Sequence, residues 1–287
     1  MPSLIPAIIV NTVVLAVMYI LASLGFAFIF NMLGAINLAH GALYMTSAYI
    51  TYYFCSLVGL NNWVALVLSC VITGCLGFLL ERFCYRPFYD SFKNIVLISV
   101  ALMTILQTTS ILLTGSGNFS IPGFASGFVN LGFMNVGRER LVMIGVGLVA
   151  IIITMFIVYR TKLGMQMTAI AQSRKGAALQ GINVYRISSL VFALGCVLAA
   201  ISGSMMGAYQ QITPYMGDDM QVRILMLVML AGAGSMNGIL ITGTIMGFVD
   251  VIFPMYFQSF ISATLSIGII IVLLIIRPKG FFGYAKE

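Results

Sequence analysis

From Met1 to Leu80 the chain carries no Asp, Glu, Lys or Arg. The same four residue types are missing from Asn94–Gly137, Leu141–Tyr159, Ile187–Gly217, Ile224–Val249 and Val251–Ile276. Charged residues fill 7% of the 287 positions, against roughly 25% in a soluble domain. With 61% hydrophobic residues and a mean hydropathy of +1.09, no fold in water hides so much apolar surface. A soluble globular protein is excluded.

Other scarcities narrow the chemistry. His40 is the only histidine, and Cys55, Cys70, Cys75, Cys84 and Cys196 lie in or beside apolar runs without C-x-x-C pairing. Structural zinc or a disulfide framework is not expected, and the cysteines read as small apolar side chains. There is no G-x-x-x-x-G-K-[ST] phosphate loop, no paired carboxylates and no Ser-His-Asp arrangement in a credible context. An enzyme is therefore a poor reading. Proton-driven carriers place several ionisable groups within the membrane. Here Asp250 is the acid inside a late apolar run, either paired, with Arg223 as a candidate partner, or functional. His40 is a candidate proton carrier or a structural hydrogen-bond donor. The net charge of +7 forms no basic, aromatic-interleaved face, so no nucleic acid partner is expected.

What is present is a series of continuous apolar runs. A membrane barrel would alternate polarity in short segments. Long runs instead mean helices, which satisfy every backbone polar group within one segment. The expected fold is all-α, a polytopic transmembrane helical bundle of about eight or nine spans with broken helices. It forms a single domain over residues 1–287. Leu4–Phe30 is the first span, read as retained and not as a signal peptide. Further spans are Ala42–Leu57, Trp63–Leu80, Ile95–Leu113, Leu141–Tyr159 and Ile187–Tyr209. The last third holds a short run at Ile224–Ala233, then Ile239–Phe253 and Ser262–Ile276. Within Ile187–Tyr209, Gly203 and Gly207 form a small-xxx-small face suited to close helix contact. Gly115–Arg140 and Ile212–Arg223 are expected as external loops. Placing the basic loops on one side puts the N-terminus outside and the C-terminus in the cytoplasm. The count falls to eight if Asn31–Gly41 is a re-entrant break within one span.

The most hydrophilic stretch is Arg160–Arg186, which holds five Lys and Arg residues and no acid. It is a cytoplasmic loop by the positive-inside rule. Its Ala-, Met- and Gln-rich middle, Met165–Leu179, predicts one helix, with Gly181 just past its end. Such a helix either docks a soluble partner or belongs to a solvated, orienting loop.

Two apolar regions are broken by glycine and polar residues, Asn31–Gly41 and Ala231–Gly238, with similar outlines in LGAINLAHGALYM and LAGAGSMNGILIT. In transport folds built from repeated halves, broken helices border the substrate path. On that reading Asn31, Asn37, His40, Gly41, Tyr44, Ser235 and Asn237 line it. The alternative is that the glycines permit tight packing and the polar side chains cap helices.

Three blocks carry a family resemblance. GAINLAHGALYM (Gly34–Met45), ERFCYRPF (Glu81–Phe88) and RTKLGMQMTAIAQSRKGAALQGINVYRI (Arg160–Ile187) resemble, in this order, segments of the membrane permease subunits of branched-chain amino acid ABC importers. The family often has Gly-Gly where Ala231-Gly232 stands and Glu where Asp250 stands. The resemblance implies a permease in a bacterial plasma (inner) membrane, moving branched-chain or similar small amino acids. Urea, short amides or other small solutes are the alternative cargo, and a self-sufficient proton-coupled carrier or channel is a further one. It implies a second homologous permease, two ATPase subunits and an extracytoplasmic substrate-binding protein as partners, all within membrane lipid. The chain itself would hold no cofactor, and the ATPases would bind ATP and Mg. Arg160–Arg186 would be the coupling segment, its helix bounded by Gly164 and Gly181, with Gly164, Met165, Arg174, Lys175, Gly181 and Asn183 at the ATPase contact. Asp218, Asp219, Arg138 and Arg140 become candidates for docking the binding protein.

Overall fold

The computed structural model describes residues 4–130, 132, 134–232 and 235–258, and scattered positions from 261 to 282. The expected final span Ser262–Ile276 and the tail after it fall largely outside the described residues. The described helices are α1 (Leu4–Leu33), α2 (Ala39–Tyr52), α3 (Asn62–Leu80), α4 (Phe92–Thr114), α5 (Arg138–Arg160), α6 (Lys162–Gln172), α7 (Arg174–Leu179), α8 (Val184–Tyr209), α9 (Met216–Ala231) and α10 (Met236–Tyr256). Strands β1 (Phe128–Asn130) and β2 (Asn135–Gly137) form an antiparallel hairpin within the expected external loop. Among the described residues, six helices are long and apolar enough to cross a membrane: α1, α3 with its following turn, α4, α5, α8 and α10. The shorter α2 is prolonged by a π-helical turn, Tyr53–Leu57.

Polar side chains mark where the helices begin. Asn61, Ser91, Thr161, Ser173, Asn183 and Ser235 each accept a backbone N–H from the first turn of the helix they precede. These bonds satisfy amides that a helix start leaves without an internal partner.

The core forms around α1, which packs against α5, α8, α9 and α10. Its residues from Val14 to Ile29 are buried. The outer helices turn apolar side chains away from the protein, as Leu112 and Leu113 of α4 do at 79% exposure. That polarity inversion suits lipid.

Glycine decides how closely the central helices approach. A Cβ on Gly25 would lie 2.4 Å from the Gly195 carbonyl oxygen, and one on Gly203 would lie 2.2 Å from that of Tyr44. The small-residue face of α8 is thus packed: Gly203 meets Tyr44 and Ser47, and Gly207 meets Ala48 and Ile121.

Contacts along the helices give their directions. Met18 and Gly25 of α1 meet Ser202 and Gly195 of α8, an antiparallel pairing. Ser47 and Thr51 of α2 meet Ala200 and Ser204 of α8, a parallel one. Therefore α2 runs back against α1, and the break at residues 34–38 reverses the chain instead of interrupting one span. Gly34, at φ +67°, makes the turn.

Two expectations need correction. The segment Met165–Leu179 is not one helix. It is divided at Ser173, whose extended backbone ends α6 and whose side chain caps α7, and Gly164 lies inside α6 and not at its boundary. Gly164 is there because a Cβ would strike the Val158 carbonyl oxygen at 2.0 Å. Likewise Ile212–Arg223 is not wholly a loop. α9 begins at Met216, so Asp218, Asp219 and Arg223 stand on a helix.

Candidate functional site

The reversal between α1 and α2 is a polar knot in an apolar core. Asn37 is fully buried. Its Oδ1 accepts the Ala39 N–H at 3.0 Å and the Tyr85 hydroxyl at 2.8 Å. Gln221 of α9 closes the other side. Its Oε1 accepts the Gly41 N–H at 2.7 Å and its Nε2 donates to the Asn37 carbonyl at 3.4 Å. Gly41 and Gly217 touch backbone to backbone, since a Cβ on Gly41 would lie 2.2 Å from the Gly217 oxygen. These bonds restore partners to backbone groups that the broken helix frees.

His40 pins α2 to the middle of α1. Its Nε2 lies 3.0 Å from the Ala22 carbonyl, so Nε2 carries the proton and donates, and its ring meets Phe26 edge-on. Asn37 Nδ2 and His40 Nδ1 are buried without a hydrogen-bond partner among the described residues. An unmet buried group costs about 1–3 kcal/mol.

A second cluster lies at the end of the bundle beside α7. Glu81, fully buried, pairs with Arg86 at 3.0 Å and accepts from the hydroxyls of Tyr89 and Ser189. Arg86 also donates to Ser189 Oγ at 2.6 Å and lies 5.1 Å from the centre of the Tyr185 ring. Burial and the neighbouring Glu81 push the Tyr89 phenol well above its ordinary value, so it remains a donor. Arg174 of α7 covers this cluster. Its guanidinium stands 4.3 Å from the centre of the Tyr89 ring and donates to the carbonyl of Met32, in the last turn of α1. Chain segments around residues 34–45, 81–89 and 160–187 thus meet at one place: Tyr85 reaches Asn37, and Arg174 reaches Met32 and Tyr89.

A third polar group lies toward the opposite end. Arg223 Nε of α9 is 2.9 Å from Asp250 Oδ2 of α10, and the Tyr19 hydroxyl of α1 donates to the same oxygen at 2.7 Å. Beside them a cavity of about 140 Å³ is bordered by Tyr19, Tyr44, Gln210, Asp219 and Arg223.

The expected pathway residues divide between these places. Asn37, His40 and Gly41 form the break, Tyr44 borders the cavity, and Asn31 is half-buried near the end of α1. Ser235 caps α10, and the exposed Asn237 accepts from Tyr159 at 3.3 Å. Both stand at the N-terminal end of α10 and join neither the knot nor the cavity. Among the expected coupling residues, Arg174 reaches inward. Met165 is 66% exposed, and Lys175 is exposed. Gly181, at φ +80°, ends α7 through Ile182 N–H to Ala177 and Gly181 N–H to Ala178 bonds, and Asn183 starts α8. Asp218 accepts from Gln107 at 3.1 Å. Sequence reasoning missed Gln221, Tyr85, Tyr89 and Tyr19. Tyr85 had a signal, since it sits in the ERFCYRPF block. Tyr89 follows that block, eight positions from its partner Glu81, while Gln221 and Tyr19 had no signal, because their partners lie 180 and 231 positions away. Among the described residues no group of three His, Cys, Asp or Glu is placed to hold a metal.

A family profile described as branched-chain amino acid transport system / permease component matches residues 8–277. The chain is 29% identical to the high-affinity branched-chain amino acid transport system permease protein LivH of Escherichia coli K12, over 95% of this chain and 94% of that one. It is 28% identical to the corresponding permease protein BraD of Pseudomonas aeruginosa, over 96% and 94%. Its fold resembles that of PsaBC from Streptococcus pneumoniae in complex with Fab, with a TM-score of 0.52 and 14% identity over 95% of this chain and 92% of that one. The chain belongs to the family of branched-chain amino acid transport permease components, and it is a multi-pass membrane permease subunit of an ABC importer.

Proposed function

We propose that this chain, as a single permease domain over residues 1–287, conducts branched-chain or similar small amino acids across the bacterial inner membrane. Membership of the family implies an ATPase and a binding protein as partners. In the proposed assembly a second, homologous permease pairs with it, and two ATPase subunits bind ATP and Mg and dock on α6 and α7. A binding protein delivers solute at the opposite end. The basic segment 160–186 then faces the cytoplasm. In this assembly the C-terminus faces the cytoplasm too, a reading supported by the Phe281 and Phe282 N–H bonds to Leu230 and Ala231 at the end of α9.

One observation carries the coupling role. Arg174 grips the Met32 carbonyl and the Tyr89 ring, while the same two-helix segment turns Met165 at 66% exposure and Leu179 at 89% exposure outward beside Lys175. Apolar side chains on a basic, solvent-facing element fit a partner surface. Movement of α7 by that partner pulls on the end of α1 and on the break that follows, which biases the bundle between two arrangements.

The test is a purification. The permease pair in detergent retains the ATPases, and replacing residues 165–179 with a Gly/Ser linker releases them. Retention after replacement refutes the docking assignment. In proteoliposomes, leucine, isoleucine and valine carried by the binding protein stimulate ATP hydrolysis. Stimulation by urea or short amides alone would move the chain to the other cargo class.

A further inference from the structure

We propose that the cavity between α1, α2, α8 and α9 is a binding site of the permease itself for the zwitterionic head and apolar tail of an α-amino acid. This deepens the importer reading above and rests on it. The cavity is small, about 140 Å³, below the roughly 300–1,000 Å³ of pockets for drug-sized ligands. It lies at the end of the bundle where α8 finishes at Gln210, away from α6 and α7.

Its chemistry is divided. Met206, Met216 and Met220 supply flexible, polarizable apolar walls, which adapt to branched aliphatic chains of different shape. The remaining lining is polar. Tyr44 is 2% exposed, and its hydroxyl makes no hydrogen bond among the described residues. The Asp219 carboxylate likewise has no ion pair or side-chain hydrogen bond among the described residues. Arg223 spends Nε on Asp250 and Nη1 on the Asp219 carbonyl, which leaves Nη2 to give.

Charge selects the ligand. Arg223 forms its ion pair with Asp250, and Asp219, exposed to solvent where it lines the cavity, adds a carboxylate without an ion pair among the described residues. An ammonium group pairs with Asp219. A carboxylate on the adjacent carbon accepts from Arg223 Nη2 and the Tyr44 hydroxyl, and the side chain lies on the methionines. A deaminated acid brings only a carboxylate and is repelled by Asp219. Urea offers neither charge nor an apolar tail. Inward of the cavity, Gly41 presses on Gly217 and Gln221 holds the break, so the site is closed toward the α6–α7 end in this structure.

The experiment uses the whole complex in proteoliposomes with saturating leucine-loaded binding protein, measuring leucine uptake and ATP hydrolysis together. Asp219→Asn and Tyr44→Phe are compared with the unaltered chain. Asp219→Asn lowers leucine taken up per ATP hydrolysed by about tenfold, the loss of one charge-assisted contact, and Tyr44→Phe lowers it several-fold. The concentration of binding protein giving half-maximal hydrolysis stays unchanged in both. If both variants keep full uptake per ATP, the site is overturned. It is equally overturned if the whole loss follows from a raised binding-protein requirement, which would make Asp219 a docking residue. Should the unaltered complex take up no amino acid while moving another solute, the importer reading fails instead.

Discussion

Arg223 and Asp250 lie 27 positions apart in sequence and 2.9 Å apart in space, and they tie α9 to α10 within a largely apolar bundle. The Tyr19 hydroxyl adds α1 to the same knot. Asp250 is 8% exposed at its side chain and Arg223 is 26% exposed. Removing one partner therefore strands the other away from water. Arg223→Ala or Asp250→Ala alone is expected to cost about 3 kcal/mol, at the low end for a buried pair because Arg223 keeps some access to water. The double variant costs less than the sum of the two. Thermal unfolding in detergent measures all three, and simple additivity would show that the pair is not coupled.

Arg174 is expected to separate hydrolysis from transport. Arg174→Ala keeps the ATPases bound through the exposed face of α6 and α7 but loosens the link to Met32 and Tyr89. ATP hydrolysis persists while uptake falls. Arg174→Lys rescues little, because an ammonium cannot both stack on the ring and reach the carbonyl as a planar guanidinium does. Uptake and hydrolysis falling in equal proportion would place Arg174 at the docking surface alone.

Glycines at close crossings and glycines in open positions should respond with opposite sign. Gly195→Ala places a methyl 2.6 Å from the Gly25 carbonyl oxygen and 3.0 Å from Ile29, and such overpacking costs about 1–3 kcal/mol. Gly145 of α5 has no atom within 4 Å of a built Cβ, so Gly145→Ala gains about 0.4–1 kcal/mol by reducing the freedom of the unfolded chain. Melting temperatures of the two variants decide this directly.

Ser173 separates α6 from α7, and its Oγ accepts the Gly176 N–H at 3.1 Å. Ser173→Ala removes the cap at a cost of about 1 kcal/mol. The stretch is otherwise rich in helix formers, so the variant favours one continuous helix. Arg174 then turns away from Tyr89. Reduced transport with normal ATPase binding is the expected result, measured by uptake and by retention of the ATPases on the purified permease.

Much of this was legible in the chain. The charge-free runs required membrane helices, and Arg223 was a candidate partner for Asp250, an acid that the sequence alone left either paired or functional. The breaks at Asn31–Gly41 and Ala231–Gly238 were visible from their glycines. Their roles were not. Asn37 and Gly41 became a site only through Gln221, which lies 184 and 180 residues away. Ser235 and Asn237 look the same in sequence, but Ser235 caps α10 and Asn237 accepts from Tyr159 at the surface. The division of α6 from α7 was missed because Ser173 sits among strong helix formers, and intrinsic propensity is a weak signal beside a side-chain cap.

Composition and the spacing of hydrophobic runs dictated the solvent, the helices and the side on which the basic residues collect. Each follows from a local requirement, since a segment in lipid must satisfy its own backbone. Which polar groups face one another is a different matter. Tyr19 reaches Asp250 across 231 positions, and Arg174 reaches Met32 across 142. Those meetings exist because glycine-lined helices approach closely enough to bury them, and that closeness is a property of the packed bundle.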